Sequence, residues 1–266
     1  MNIQNTKSDL PPDQIRMEIR QDKWIRPTTG LAPGYVQTNI AILPKDLSFD
    51  FLLFCQRNPR SCPLIEVLDP GSTEASISAP NSDIRSDVPL YKIYKDGILD
   101  KEVRNITSEW KEDFVTFLIG CSFTFESALI NNGIYLPHNE QNKNVPMFIT
   151  NIPTVESGIF SGPMVVSMRS IEKSKVIRAI QTTSRFPSVH GAPIHVGNPE
   201  EIGITDINNP EFGDVIPVKE NEIPVFWACG VTPQSIAMNS KPSIMITHSP
   251  GHMFITDRKD EEYAII

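Results

Sequence analysis

Short apolar runs, each stopped by proline or glycine, set the pattern of this chain. Residues 35–43 stay extended and largely apolar until Pro44, which predicts a strand. Over 48–58, Phe49, Leu52, Leu53 and Gln56 recur at helical spacing, and Phe51, Phe54 and Cys55 widen the stripe. That spacing predicts a helix buried on most sides, capped by Asp46 or Ser48 and stopped at Asn58-Pro59. An earlier short helix follows the proline pair at 11–12, with Ile15, Met17 and Ile19 partly buried. A short strand is expected over 64–68. The clearest hairpin joins 90–95 to 98–106 through Asp96-Gly97, a pair suited to positive φ. Ser108 is placed to cap a helix over 109–119 that Gly120 closes. A further helix is expected over 125–131, strands within 144–170, and a helix over 174–183. Thr232 and Pro233 read as the N-cap and first residue of another helix, over 233–239. The polar loop 69–87 is the segment expected to be mobile or to contact a partner. Together these elements predict a mixed α/β (α+β) fold: a sheet-based body with a second, smaller α+β subdomain and the hairpin at an edge. Residues 1–12 read as a flexible tail. Residues 13–266 read as a single enzyme unit, two subdomains with a discontinuous boundary.

Composition narrows the function classes. The 266 residues can build a substantial core, and 39% hydrophobic content is ordinary for a soluble protein. A formal charge of −8 without a polybasic run argues against nucleic acid and anionic membranes as partners. The first residues lack an apolar signal region, and the strongest apolar stretches are too short to span a bilayer. A cytoplasmic protein acting on a small molecule is expected, with self-association into a homo-oligomer open to it. Four cysteines without a C-x-x-C pair suit free thiols in a reducing compartment, although Cys55 and Cys62 stand close enough in sequence to pair.

The chemistry concentrates in W-A-C-G-V-T-P-Q at 227–234 and I-T-H-S-P-G-H-M-F at 246–254. Reactive side chains on tight turns between apolar segments resemble a pocket floor. Cys121 and Cys229 share one setting, each beside a glycine and just ahead of a predicted helix, where free N–H groups favour a thiolate or a bound carboxylate. Pro250 and Gly251 separate His248 from His252, so this pair is not a helical metal motif; no metal and no cofactor are expected. Site imidazoles suit acid, base or donor roles instead. Arg57, Arg169 and Arg185 stand in apolar contexts, where arginine forms an ion pair or holds an anion; Arg16, Arg20 and Arg26 read as surface residues.

Long motifs now become recognisable. They include G-L-A-P-G-Y-V-Q-T-N-I-A-I-L-P at 30–44, F-L-I-G-C-S-F-T-F-E at 117–126, G-P-M-V-V-S-M-R at 162–169, T-S-R-F-P-S-V-H-G-A-P-I-H-V-G at 183–197, P-V-F-W-A-C-G-V-T-P-Q at 224–234 and I-T-H-S-P-G-H-M-F-I-T-D at 246–257. From about residue 12 to 257 the chain resembles the D-glutamate cyclase family, which includes bacterial hydro-lyases. The resemblance implies a mixed α/β body of two subdomains and a carbon–oxygen lyase that closes D-glutamate to 5-oxo-D-proline with loss of water. It brings no settled catalytic residues. The residues themselves suggest Cys121, Cys229, His190 and His248 as catalytic groups converging on one cleft. Arg57, Arg185, Ser122, Gly230, Thr232, Asn39 and His252 are expected to hold an amino dicarboxylate. Two rivals stay open: a two-thiol racemase or epimerase, and a non-catalytic amino-acid-binding protein.

Overall fold

The computed structural model describes residues 10–141 and 143–265; residues 1–9 of the expected tail lie outside the described residues. In chain order the elements are α1 (Pro12–Arg20), β1 (Tyr35–Pro44), α2 (Lys45–Arg57), β2 (Leu64–Val67), β3 (Tyr91–Lys95), β4 (Ile98–Val103), β5 (Phe114–Gly120), α3 (Glu126–Asn131), α4 (Pro137–Glu140), β6 (Met147–Pro153), β7 (Pro163–Glu172), α5 (Val176–Ser184), β8 (His195–Val196), β9 (Glu222–Ala228), α6 (Thr232–Ser240), β10 (Met245–His248) and β11 (Phe254–Lys259). They build two antiparallel sheets, the mixed α+β architecture expected. The larger runs β2-β5-β1-β10-β3-β4, with β11 also on β1; the smaller runs β6-β7-β9-β8. The predicted hairpin is there, with β4 at the sheet edge and Asp96 and Gly97 both at positive φ.

Both faces of the larger sheet are covered. Ile40, Ile42, Leu118, Ile246 and Phe254 face one core, closed by Ala75, Ala79 and Ile84 from the loop before β3. Ala41, Leu43, Phe117 and Ile119 face the other, closed by Phe51 and Phe54 of α2 and Ile236 and Ala237 of α6. This is the two-residue alternation of a strand sandwiched between layers. On the smaller sheet, Ile171, Val225 and Trp227 pack against α3 and α5.

One edge of β1 is shared by two strands. Ala41 pairs with Thr247 of β10, and Thr38 pairs with Phe254 of β11. Between those pairs, two residues of β1 (Asn39 and Ile40) stand opposite six of the other strand, 248–253. The chain therefore loops out of the ladder there. Gly251, at φ +81°, makes the turn, and its carbonyl accepts both the N–H and the hydroxyl of Thr28.

Several expectations need correction. Residues 114–120 form a central strand, not the end of a helix, and Ser108 caps nothing. A strand buried on both faces presents an unbroken apolar run, which periodicity alone does not separate from a helix. α2 starts after Pro44 without a side-chain cap, and Ser48 instead donates back to the Lys45 carbonyl. Only Phe51, Phe54 and Cys55 of α2 are buried; Phe49 and Leu52 are exposed. Met17 is likewise exposed on α1. Arg16 is buried rather than on the surface, bonded to Asp257 and the Ile255 carbonyl. The 69–87 loop is pinned rather than loose: Glu66 accepts the N–H groups of Ile77 and Ser78, and buried Asp87 pairs with Arg20.

Candidate functional site

Two turns carry the thiols. β5 ends at Gly120 and the chain enters Cys121-Ser122-Phe123 before α3; β9 ends at Ala228 and enters Cys229-Gly230-Val231 before α6. Asn39 of β1 ties them together. Its Nδ2 donates to the Gly120 carbonyl at 2.7 Å, and a Cβ added at Gly230 would meet that same nitrogen at 1.8 Å. Glycine is required at 230 by this close approach. Phe123, on the first turn, packs against the cluster that holds Cys229 and Val231 on the second.

Both thiols are buried and free. Burial pushes the Cys121 thiol well up; the Phe123 N–H and Arg169 offset this in part, whereas the neighbouring Cys229 adds to it. Burial likewise pushes Cys229 up to about 11, against the Val231 N–H and Arg169. At neutral pH both are thiols, able to donate a proton and poor as nucleophiles.

Arg169 lies at the centre. It projects from β7 on the face shared with Trp227, fully buried, with Phe125 and Trp227 rings 5.2 and 5.5 Å from its Cζ. Its Nε and Nη2 donate to Glu126, Nη1 to Ser167 and Nη2 also to Ser122. Glu126 is further held by His138 at 2.9 Å and by the Asn139 amide at 3.1 Å. Burial alone would raise the Glu126 carboxyl; His138 and Arg169 outweigh it and bring it down to about 2.

The histidines are set by backbone groups. His190 adopts a left-handed φ of +85°, an unusual conformation for a side-chain-bearing residue. Its Nδ1 donates to the Arg60 carbonyl at 2.7 Å, so the proton is on Nδ1 and Nε2 keeps a lone pair. His248 is the reverse. Its Nδ1 accepts the Ile40 N–H at 3.3 Å, in the gap of the β1 edge, which puts the proton on Nε2. Both Nε2 atoms are buried without a hydrogen-bond partner among the described residues. Burial pushes His190 down to about 4, and the Arg169 charge adds to the effect; burial pushes His248 down to about 3.

Cys121, Cys229 and His190 thus share the field of one arginine. His248 reaches the group through its neighbours: Ile40 beside Asn39, and Gln234 of α6, which donates to the His248 carbonyl at 2.7 Å. His252 is half-buried in the looped-out segment, its Nδ1 beside the Pro250 carbonyl. Arg57 and Arg185 lie elsewhere, both exposed and bonded to the carbonyls of Glu156 and Ile265. Thr232 is the first residue of α6 rather than its cap. Its hydroxyl donates to the Cys229 carbonyl and accepts the Val165 N–H, bracing the thiol turn against β7.

Sequence reasoning missed Glu126, His138 and Ser167. Glu126 closes the F-T-F-E motif and Ser167 interrupts V-V-S-M, both polar residues in apolar runs, and that was the available signal. A cleft of about 260 Å³ lies between residues 30–37 and α3, with Phe123 and Glu126 on its wall. Among the described residues no group of three or more His, Cys, Asp or Glu is arranged to hold a metal ion, and no helix is long and apolar enough to cross a membrane.

A family profile described as D-glutamate cyclase matches residues 115–257. A Bacillus licheniformis protein named "Putative hydro-lyase" is 56% identical over 259 residues, spanning 97% of this chain and 99% of its own length. A Geobacillus kaustophilus protein of the same name is 58% identical over 253 residues, spanning 95% and 96%. One from Stutzerimonas stutzeri is 56% identical over 258 residues, spanning 97% of each. Among solved structures, a nitrogen repressor-like protein from Methanococcus jannaschii overlaps 82% of this chain and 86% of its own at 9% identity, with a TM-score of 0.38, too low to carry an argument.

Proposed function

The chain belongs to the D-glutamate cyclase family, and from that premise we propose that it is a hydro-lyase closing D-glutamate, or a closely related small amino dicarboxylate, to 5-oxo-D-proline with loss of water. The observation that carries this reading is geometric: Asn39 ties the Cys121 and Cys229 turns together, buried Arg169 bonds Ser122 beside Cys121, and Gly120 packs on the Ser188-Val189 segment that leads into His190. The reaction forms a C–N bond between the amine and the side-chain carboxyl carbon and breaks one C–O bond. The ammonium gives up two protons, and both leave with the carboxylate oxygen as water. Groups that pass protons from nitrogen to oxygen are therefore enough, with no net uptake or release.

The site has both kinds. The Nε2 lone pair of His190 accepts a proton from the ammonium. A thiol of Cys121 or Cys229 hands one to the departing oxygen; the thiolate then takes the second proton from nitrogen, and His190 returns the first to complete the water. Holding the diacid bent beside these groups supplies the rest by proximity. Turnover by this route calls for no metal.

A two-thiol racemase is the second reading, favoured by the two thiol turns lying together through Asn39. It needs one thiolate, and burial holds both groups protonated. Incubating the protein with D- and L-glutamate in heavy water separates the two. A cyclase yields 5-oxoproline, seen by mass spectrometry as loss of water, with no deuterium at the α-carbon. A racemase leaves glutamate with deuterium there. His190→Ala should lower kcat by roughly 10²–10⁴-fold. Full turnover in the His190→Ala, His248→Ala double variant would remove the imidazoles from the mechanism.

A further inference from the structure

Ser122 and Ser167 do a job that charge balance does not explain. Glu126 alone neutralises Arg169, as a buried arginine requires. Yet two of the guanidinium's N–H groups go to serine oxygens, at 3.1 Å each. A hydroxyl that accepts from a cation has its proton left to offer. The two oxygens are 3.4 Å apart, so one O–H can turn toward the other. The remaining O–H has no acceptor among the described residues. Both hydroxyls are polarised by the adjoining positive charge, which strengthens them as donors to an anion.

Their placement fits a ligand role. Ser122 directly follows Cys121, and Ser167 pairs across the sheet with Trp227, two residues before Cys229. The guanidinium itself is out of reach: its side chain has no exposed surface, and the neighbouring Phe125 and Trp227 rings crowd it together from 5.2 and 5.5 Å. The serines are the route by which its charge reaches a ligand. We infer that Ser122 and Ser167 form a carboxylate-binding subsite, energised by Arg169 and fixed by Glu126, for one carboxyl group of an amino dicarboxylate. The inference rests on the proposed function in taking the surroundings of the two thiols as the substrate site.

Calorimetric titration with glutarate, a diacid without the amine, and with glutaramide, its neutral diamide, tests the subsite without turnover. The unaltered protein should bind glutarate at least about tenfold more tightly than glutaramide. Ser122→Ala and Ser167→Ala should each weaken glutarate roughly 10- to 100-fold and leave glutaramide unchanged. Equal binding of the two compounds by the unaltered protein, or no binding of either, overturns the inference and needs no variant to fold. Unchanged glutarate affinity in both serine variants overturns it too, and makes the network a structural brace. The two readings fail separately. Serine-dependent diacid binding without D-glutamate cyclisation keeps the subsite and discards the cyclase; cyclisation with serine-independent binding does the opposite.

Discussion

His190 and His248 are oriented by main-chain groups, which fixes their tautomers without spending another side chain. Their burial has a consequence for pH. The folded pKa values, near 4 and near 3, lie below the 6.5 of a free imidazole, so the unfolded chain binds protons that the folded chain refuses. Their contribution is full above about pH 6.5 and is lost as pH falls toward 4 and then 3, on the order of 3 kcal/mol for His190 and 5 kcal/mol for His248. Asp260 runs the other way. Burial raises it to about 7, so its penalty is relieved as pH falls from 7 toward 4. Two fully buried imidazoles outweigh that one carboxyl. Below about pH 4.5 Glu126 adds a second loss, complete near 2. Urea midpoints measured from pH 7 to 4 should therefore fall, and His248→Gln should remove most or all of the fall, because Asp260 then offsets His190. A flat profile would mean that water reaches both rings.

Among the elements, turn chemistry was the most legible part of the sequence. Asp96-Gly97 gave the hairpin, and the Gly-Cys and Cys-Gly pairs marked the two thiol turns. β5 was misread because its apolar run serves two cores at once, and an acid-rich approach ending in glycine imitates a helix. α2 was over-buried in the reading because apolar residues wrap around it, whereas the packed layers take only one side. Contact between turns is beyond any local pattern, and the meeting of Asn39 with Gly230 is the case in point. Gly230→Ala should drive Asn39 off the Gly120 carbonyl and cost about 1–3 kcal/mol by overpacking. Adding Asn39→Ala should recover part of that stability while turnover stays lost. If the two substitutions simply add in urea unfolding, the contact is not the cause.

For the molecule as a whole, the candidate site is a meeting of strand ends from two sheets. That explains which residues the sequence could offer. Cys121, Cys229 and His190 were legible because each sits at a turn beside glycine. Arg169 could not be told from Arg57 or Arg185, since apolar neighbours in sequence do not reveal which way a side chain points. Arg57 ends up on the last turn of α2 and Arg185 just past α5, whereas Arg169 faces inward from mid-strand. Its partner Glu126 is 43 positions away, joined only by the packing of α3 on the smaller sheet. The looped-out segment opposite Asn39 and Ile40 has its own arithmetic. Four surplus residues are an even number, so Ile246 and Phe254 on either side of the interruption still face the same core. The strand behaves as a finished piece into which an insert has been spliced without disturbing its phase. Excising 249–252 should bring His248 opposite Ile40 and Met253 opposite Asn39, and heal the ladder. Such a protein is expected to melt in one cooperative transition and to turn nothing over. Excising only 249–251 would flip Phe254 out of the core, and thermal melting should then show a broad, low transition. Two similar melting curves would mean that the strand's phase is held elsewhere.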